Sequence, residues 1–380
     1  MSGNPEVPSG SMKLANADRP DRRRRSRTLG QAFDPRANAL NSFRLALATA
    51  VILWHTFPLT GRHLPFAVHQ LFSQAWVDGF FAVSGFLITS SWLSRPRLGA
   101  YFAARALRIL PGLWVCLVIT AFAIAPIGVA IQGGSAARLL LSTAPIGYVV
   151  KNSAIWIFQV DIGGTPRGIP DPGMWNGSLW TLQYEVLCYI AVAGLGLVGL
   201  LGRRWFLPTA MALAVTWAAL ASYTLNGVPT VAQNGARFAV MFLAGALLHQ
   251  FRDLIPARWS LVAVSVAVVL VATLLPDYRL VAAIPLAYAI IVSGALIDNK
   301  RFRLRNDLSY GVYIYACPIQ QLLVICGLGI LNPIVFTIIA AVATLPFAAM
   351  SWFLVEKPAM ALKARLRGKR VRPGLTTSVP

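Results

Sequence analysis

Charged side chains are scarce in this sequence of 380 residues, and acidic ones are the scarcest. Asp and Glu together number 13, and charged residues make up 12% of the chain against 57% hydrophobic residues. Soluble domains average about a quarter charged residues, so a soluble globular fold is excluded for most of the chain. The mean hydropathy of +0.63 places most of it in lipid instead.

Cysteine is also rare, and its positions exclude two kinds of site. The four cysteines all lie inside apolar runs, without metal-clamp spacing and away from loops that a disulfide would bridge. We therefore interpret them as small apolar packing residues and predict no metal site and no bound cofactor.

Basic residues are plentiful, with a net charge of +21 and a pI near 10.9, but they do not form one patch. They occupy the gaps between apolar runs, which is typical of membrane topology and argues against nucleic-acid binding. Residues 1–35 are polar and include the run Arg22 to Arg25. They predict a disordered cytoplasmic tail held against anionic lipid, without a signal peptide. The predicted membrane domain covers residues 36–360, and a basic cytoplasmic tail covers residues 361–380.

The apolar runs predict the fold class, an all-α polytopic membrane bundle of about ten transmembrane helices. Each spanning helix needs roughly 20 mostly apolar residues. The sixth of the ten predicted spans is the shortest. In chain order, the spans are Asn41–Leu59, Leu71–Leu93, Arg108–Ile131, Leu179–Leu201, Phe206–Tyr223, Phe238–Gln250, Ser260–Leu275, Leu280–Ile297, Leu308–Leu328 and Pro333–Val355.

Charge in the gaps predicts the topology. Lys and Arg concentrate in alternate gaps, such as Lys300 to Arg305, and in the C-terminal tail, whereas the opposite gaps carry scattered charges. The positive-inside rule then places both termini in the cytoplasm. The long outer segment, residues 132–177, is rich in Gly and Pro near its end, and we interpret it as a cap over a cavity.

Ionisable residues within the spans mark the candidate site, because such residues are costly in lipid and usually functional. Arg44 and His55 lie eleven residues apart in the first span, which places them on one helix face, about 16 Å apart along the axis. This separation suits a phosphate at Arg44 and a reactive thioester at His55. Considered singly, Arg44 is equally explained by snorkelling to lipid, and His55 by a structural role in the bundle.

The second span contributes Asp78, at a depth similar to that of His55. A carboxylate there would orient the imidazole, as the acid of a catalytic triad does, or would serve as a structural partner. Ser84 and the neighbouring glycines suit close helix packing, and no nucleophile-elbow context surrounds this serine.

Three further spans add polar candidates. Arg105 and Arg108 are neighbours on one helix face and predict a phosphate clamp or ordinary membrane anchors. Glu185, with Tyr184 beside it, lies about two turns into the fourth span and needs a partner. Tyr313 lies in the ninth span. At the end of the tenth, Glu356 and Lys357 are interpreted as a local ion pair.

These residues fall into six elements, in order, that resemble the acyltransferase-3 family of integral membrane acyltransferases over about residues 41–358. The elements are Arg44 with His55; Asp78 followed by Phe80, Phe81, Ser84, Gly85, Phe86 and Leu87; Arg105 with Arg108; Trp180, Leu182 and Glu185; Ser309 to Tyr313; and Glu356 to Pro358.

The resemblance implies a transferase of the bacterial inner membrane that takes an acyl group, most simply acetyl, from cytoplasmic acyl-CoA. It implies a carbohydrate acceptor, such as a surface polysaccharide, an exopolysaccharide or a lipid-linked sugar. Arg44, Arg105 and Arg108 would bind the donor phosphates. His55, Asp78 and Glu185 would be catalytic, and Ser84, Tyr184 and Tyr313 would be acceptor-side or structural residues.

Two mechanisms and two other classes of protein stay open at this level. His55 acts as a general base for direct transfer, or it carries the acyl group itself. A glycolipid or anionic-solute transporter would place the same charges along a pathway, although no internal repeat is visible. A sensor or scaffold would use them only to join helices.

Overall fold

The computed structural model describes residues 27–223 and 230–368, and these residues form a helical bundle without β-strands. The first half contains eight α-helices. They are α1 (Leu29–Ala32), α2 (Leu40–Leu59), α3 (Phe66–Ser94), α4 (Leu98–Ile119), α5 (Ala125–Ile131), α6 (Ala136–Leu141), α7 (Ala144–Asn152) and α8 (Leu182–Leu197).

The second half contains seven more. They are α9 (Phe206–Tyr223), α10 (Val231–Gln250), α11 (Trp259–Ala272), α12 (Arg279–Leu296), α13 (Ser309–Ile325), α14 (Pro333–Met350) and α15 (Lys357–Gly368).

Two π-helical segments join neighbouring helices into longer rods. Thr120–Ile124 connects α4 to α5, and Ser351–Glu356 connects α14 to α15. The resulting apolar spans cover Leu98–Ile131 and Pro333–Leu362, which are 34 and 30 residues long. Single π-turns inside helices often occur at functional positions, and the second one ends at Glu356.

All ten predicted spans coincide with helices, which confirms the all-α polytopic fold. Seven helical spans in the described residues are long and apolar enough to cross a membrane. The helices α9 and α11 are shorter apolar helices, and α13 has 17 residues. The helix α13 is buried along nearly its whole length, so protein rather than lipid surrounds it.

Several predicted helix ends were wrong. The third span begins at Leu98 instead of Arg108, so Arg105 and Arg108 lie well inside α4. The sixth begins at Val231 instead of Phe238 and is a full 20 residues long. Its start is fixed by a capping box, in which the side chains of Thr230 and Gln233 bond to each other's backbone N–H groups.

Small residues allow a close helix contact between α3 and α10. A Cβ atom on Gly85 would collide with the carbonyl oxygen of Phe242, and one on Gly245 would collide with that of Ala82. The two backbones therefore approach directly, as small residues allow in membrane bundles. This contact fixes the part of α3 that carries Ser84.

Helical structure extends beyond both predicted boundaries of the membrane domain. The helix α1 lies within the predicted disordered tail, yet Leu29 is fully buried and its N–H donates to the carbonyl of Ile255. Phe33 packs edge-on against Phe86. Two apolar side chains thus anchor residues 28–33, and residues 1–26 lie outside the described part. At the other end, α15 continues across the predicted boundary at residue 360.

The segment of residues 132–177 docks onto the buried helix α13. The amide of Gln321 donates to the carbonyls of Asp171 (3.0 Å) and Met174 (2.8 Å). Asn176 Nδ2 donates to the carbonyl of Ile314 at 2.8 Å, and Trp175 is fully buried. The segment therefore covers one end of the bundle, but its residues do not line the interior cavity that holds the candidate site.

Candidate active site

A cavity that opens toward solvent lies between α2, α3, α8 and α13. Its wall combines one guanidinium, one carboxylate and several hydroxyl groups with an aromatic and aliphatic surface. A mostly apolar cavity with a few converging polar groups is typical of a ligand site. The lining residues are Arg44, Val77, Phe80, Phe81, Ser84, Thr181, Leu182, Glu185, Ser309, Tyr310 and Tyr313.

Glu185 is the carboxylate of this cavity. One of its oxygens, Oε1, accepts hydrogen bonds from the hydroxyls of Tyr189, one turn along α8, and Ser84, on α3, the latter at 3.4 Å. Within the described residues, no basic side chain lies within ion-pair distance of it. Arg44 interacts with its charge from farther away. A carboxylate that faces a cavity without an ion pair is available to a ligand.

The cation of the cavity, Arg44, is held by a carboxylate that the sequence analysis did not single out. Asp307 Oδ2 accepts from Arg44 Nη1 and also from Arg108 Nη2, the second bond being 2.6 Å long. Arg108 Nη1 donates in turn to Glu356 Oε2 at 3.0 Å. Two of the three arginines predicted to bind phosphate, Arg44 and Arg108, therefore share one oxygen of Asp307.

Glu356 corrects a further interpretation from the sequence. It is fully buried and bonded to Arg108 and to the hydroxyl of Ser351. Lys357 instead lies over the ring of Phe353, with its Nζ 5.5 Å from the ring centroid. The predicted local ion pair of Glu356 and Lys357 was therefore wrong, because the π-helical turn directs Glu356 inward toward α4.

Arg105 and Arg108 face different partners although they are one turn apart. The guanidinium of Arg105 lies 4.4 Å from the ring centroid of Tyr101 and 5.8 Å from that of Tyr189. Its buried Nε makes no hydrogen bond. Arg105 thus stacks on aromatic rings, as guanidinium groups do, next to the tyrosine that donates to Glu185. The guanidinium groups of Arg105 and Arg108 therefore do not point together at one phosphate position.

His55 keeps a defined ring orientation through its own helix. Its Nδ1 lies 2.9 Å from the carbonyl oxygen of Val51. A carbonyl only accepts, so Nδ1 carries the proton and Nε2 is left as the basic nitrogen. His55 is partly buried and does not belong to the cavity wall, which Arg44 reaches from three turns earlier in α2.

Asp78 has partners other than the predicted one. Its Oδ2 accepts from Arg279 Nε at 2.7 Å and from the hydroxyl of Tyr278. No described hydrogen bond joins it to His55, whose Nδ1 is already bonded to Val51. The proposed orientation of the imidazole by Asp78 is thus contradicted by the geometry. The physical reason is the buried guanidinium of Arg279, a stronger partner than a neutral imidazole.

The remaining candidates divide between the cavity and the protein core. Ser84 and Tyr313 line the cavity, and the Tyr313 hydroxyl pairs with that of Thr181 at 2.6 Å. Tyr184 instead packs against Trp180 and Phe238, with ring centroids 5.7 Å and 5.1 Å away. Tyr184 is therefore a packing residue in this arrangement. Within the part of the chain that the structure describes, no group of three His, Cys, Asp or Glu side chains could hold a metal.

Sequence reasoning missed Asp307, Tyr189 and Arg279. The signals were faint: Asp307 directly precedes the ninth predicted span, Tyr189 lies one turn after Glu185, and Arg279 directly precedes the eighth predicted span. Each is a polar residue at or within an apolar run. Their partners, however, are up to 263 residues away in the sequence, so spacing alone does not identify them.

Comparison with known proteins assigns this arrangement to a family. The acyltransferase-3 family model, described as an acyltransferase domain, matches residues 38–353. Nodulation protein 10 of Rhizobium leguminosarum bv. viciae is 26% identical over 369 residues, which cover 88% of this chain and 96% of that relative. The O-acetyl transferase of Shigella phage Sf6 is 27% identical over 348 residues, which cover 85% and 96%. No solved structure matches significantly. The chain belongs to the acyltransferase-3 family and is a multi-pass membrane acyltransferase.

Proposed function

We propose that this enzyme transfers an acyl group, most simply acetyl, from cytoplasmic acyl-CoA to a hydroxyl group of a carbohydrate. The name of the phage relative supports O-acetyl transfer. The observation that carries the proposal is the cavity in which Arg44, Glu185 and Ser84 face one interior space. A guanidinium suits a phosphate-bearing donor, and hydroxyl and carboxylate groups suit a polar acceptor.

The donor would enter at the Arg44 end. Arg44 lies in the second turn of α2, and Arg108 and Arg105 lie on α4, where Arg108 shares Asp307 with Arg44. We place this end at the cytoplasmic face of the bacterial inner membrane, in line with the charge pattern of the connecting segments and with both termini in the cytoplasm. About 16 Å of helix then separates Arg44 from His55, a length that a pantetheine arm can cover.

His55 would supply the base. With Nδ1 donating to Val51, Nε2 is free to accept the proton of the acceptor hydroxyl. The hydroxyl oxygen attacks the thioester carbonyl, the new C–O bond forms, and the C–S bond breaks. The coenzyme A thiolate leaves and takes up a proton. In the two-step variant, Nε2 attacks first, and the acyl group passes from His55 to the acceptor.

Glu185 and Ser84 would act in the cavity that Arg44 lines. Glu185 holds the Ser84 hydroxyl and the Tyr189 hydroxyl through Oε1, which leaves Oε2 as an acceptor for a hydroxyl or amide of a bound substrate. Asp78, bound to Arg279 and Tyr278, is assigned to positioning of the bundle instead of to the chemistry.

Transfer of label from radiolabelled acetyl-CoA tests this function. Membranes that contain the producing organism's own glycans and the wild-type enzyme should incorporate label into a carbohydrate ester that alkali releases. Replacing His55 with Ala should reduce incorporation by about 10²–10⁴-fold, the usual contribution of general-base catalysis. Undiminished transfer by a folded His55→Ala enzyme would refute the role of His55. Wild-type enzyme that neither transfers label nor binds coenzyme A would refute the donor.

A further inference from the structure

Asp307 connects the two arginines that the proposed donor site depends on. It precedes α13 and is 9% exposed. Its Oδ2 accepts from Arg44, on α2, and from Arg108, on α4. Its Oδ1 accepts from the backbone N–H of Ser309 at 3.2 Å and from the Ser309 hydroxyl at 2.5 Å. All of its acceptor positions are thus in use, and the carboxylate fixes three helices relative to one another.

Charge explains why this position needs a carboxylate. Two guanidinium groups that approach a common point repel each other unless an anion lies between them. Burial opposes ionisation of Asp307, but the charges of Arg44 and Arg108, together with its bonds to Ser309, outweigh it and lower its pKa below the ordinary value. Asp307 is therefore ionised at neutral pH and neutralises part of the repulsion between the two arginines.

Arg44 and Arg108 differ in how many of their N–H donors are already bonded to the protein. Arg108 gives one N–H to Asp307 and another to Glu356, and its guanidinium lies 5.7 Å and 5.4 Å from the rings of Tyr310 and Trp352. Arg44 makes one described hydrogen bond, to Asp307, and it alone of the two lines the cavity. A guanidinium has five N–H donors, so Arg44 keeps donors for a ligand whereas Arg108 is largely committed.

We propose that Asp307 is a positioning residue for the donor site: with Arg108 on its far side, it holds the guanidinium of Arg44 so that the unused N–H groups face a phosphate in the cavity. This inference rests on the proposed function, because the phosphate belongs to the acyl-CoA donor. Arg108 then acts through Asp307, and Arg44 is the arginine that touches the donor. In the opposite role, Asp307 would occupy the phosphate position and compete with the donor.

The variant Asp307→Asn separates these two roles, measured in the full-length purified enzyme. If Asp307 positions Arg44, the KM for acetyl-CoA and the Kd for coenzyme A rise by about tenfold or more, the effect of one lost charge-assisted hydrogen bond, while kcat changes little. If Asp307 competes with the donor, both constants fall. An unchanged or lower Kd overturns the proposal.

Two further variants keep the test decisive. Asp298→Asn removes an exposed carboxylate from the same connection between α12 and α13, where it pairs with Arg303, and it should leave both constants at the wild-type level. Asp307→Glu keeps the charge but displaces it, so its KM should lie between those of wild type and Asp307→Asn. If Asp307→Asn does not fold, a wild-type KM in Asp307→Glu overturns the proposal. If the wild-type enzyme does not bind coenzyme A, the proposed donor is refuted. If wild type and Asp307→Asn bind coenzyme A equally, only the proposed role of Asp307 is refuted.

Discussion

Two clusters of buried charge lie in this bundle, and they differ in what their side chains face. The cavity cluster consists of Arg44, Arg108, Glu185, Asp307 and Glu356. The Asp78 cluster consists of Asp78, Arg237, Asp277, Tyr278 and Arg279. Each brings together side chains from several helices, and each contains two arginines.

In the Asp78 cluster, every charged group faces another residue of the protein. Arg279 bonds to Asp78 and lies 3.5 Å from Asp277, which is 3.7 Å from Arg237. The side chains of Asp78, Asp277 and Arg279 are at most 6% exposed. The cluster joins α3, α10 and α12, and none of its members lines the cavity. Such a network determines how helices associate, at a high desolvation cost.

In the cavity cluster, two groups face open space. Glu185 has no ion-pair partner among the described residues, and Arg44 uses one described hydrogen bond and lines the cavity. The difference shows that a costly charge in a membrane span is not by itself a sign of catalysis. What distinguishes a site is a charge whose remaining hydrogen-bonding groups face a space that a ligand can enter.

The largest effect on stability is expected in the Asp78 cluster. Replacing Arg279 with Ala leaves the carboxylate of Asp78 buried without a cation, which should lower the free energy of unfolding by about 3–5 kcal/mol. An SDS titration of the purified enzyme measures this change. The double variant Asp78→Ala and Arg279→Ala should recover part of the loss, because no unpaired charge is left. Equal or greater destabilisation in the double variant would contradict this account.

Two matched isosteric changes should affect different properties, the activity in one cluster and the stability in the other. Glu185→Gln keeps the size of the side chain and should reduce acyl transfer by about tenfold or more with a near-wild-type unfolding midpoint, because Glu185 has no ion pair to lose. Asp78→Asn should destabilise by about 1.5–3 kcal/mol, the range for a hydrogen bond to a charged group. Loss of stability in Glu185→Gln, with activity retained, would remove the distinction between the clusters.

The sequence predicted those features of the fold that the lipid bilayer imposes. Every predicted span is a helix, because an apolar run in a bilayer has to satisfy its backbone internally. The errors occurred where polar residues interrupt the run. Arg105 and Arg108 marked a false start for α4, since several of the groups that accommodate them come from other helices: Tyr189 beside Arg105, and Asp307 and Glu356 bonded to Arg108.

The sequence identified four of the residues that line the cavity, but it did not identify the pairings of the buried charges. Arg44, Ser84, Glu185 and Tyr313 were singled out as polar residues in apolar spans, and all four line one cavity. Asp78 was paired with His55 from depth alone, whereas its partner Arg279 lies 201 residues away. Helical spacing predicts which residues share a face, but which helices become neighbours follows from the packing of the whole bundle.

The smallest expected effect concerns pH and compares Asp307 with its amide variant. Its pKa is lowered below the ordinary 3.8, so the stability that its ionised form contributes is complete above that value and is lost as the pH falls through the lowered pKa. The difference in unfolding midpoint between wild type and Asp307→Asn should therefore stay constant from about pH 5 to pH 8. It should shrink only in stronger acid. A difference that already shrinks between pH 7 and pH 5 would mean that Asp307 takes up a proton in that range, and that Arg44 and Arg108 do not hold it as an anion.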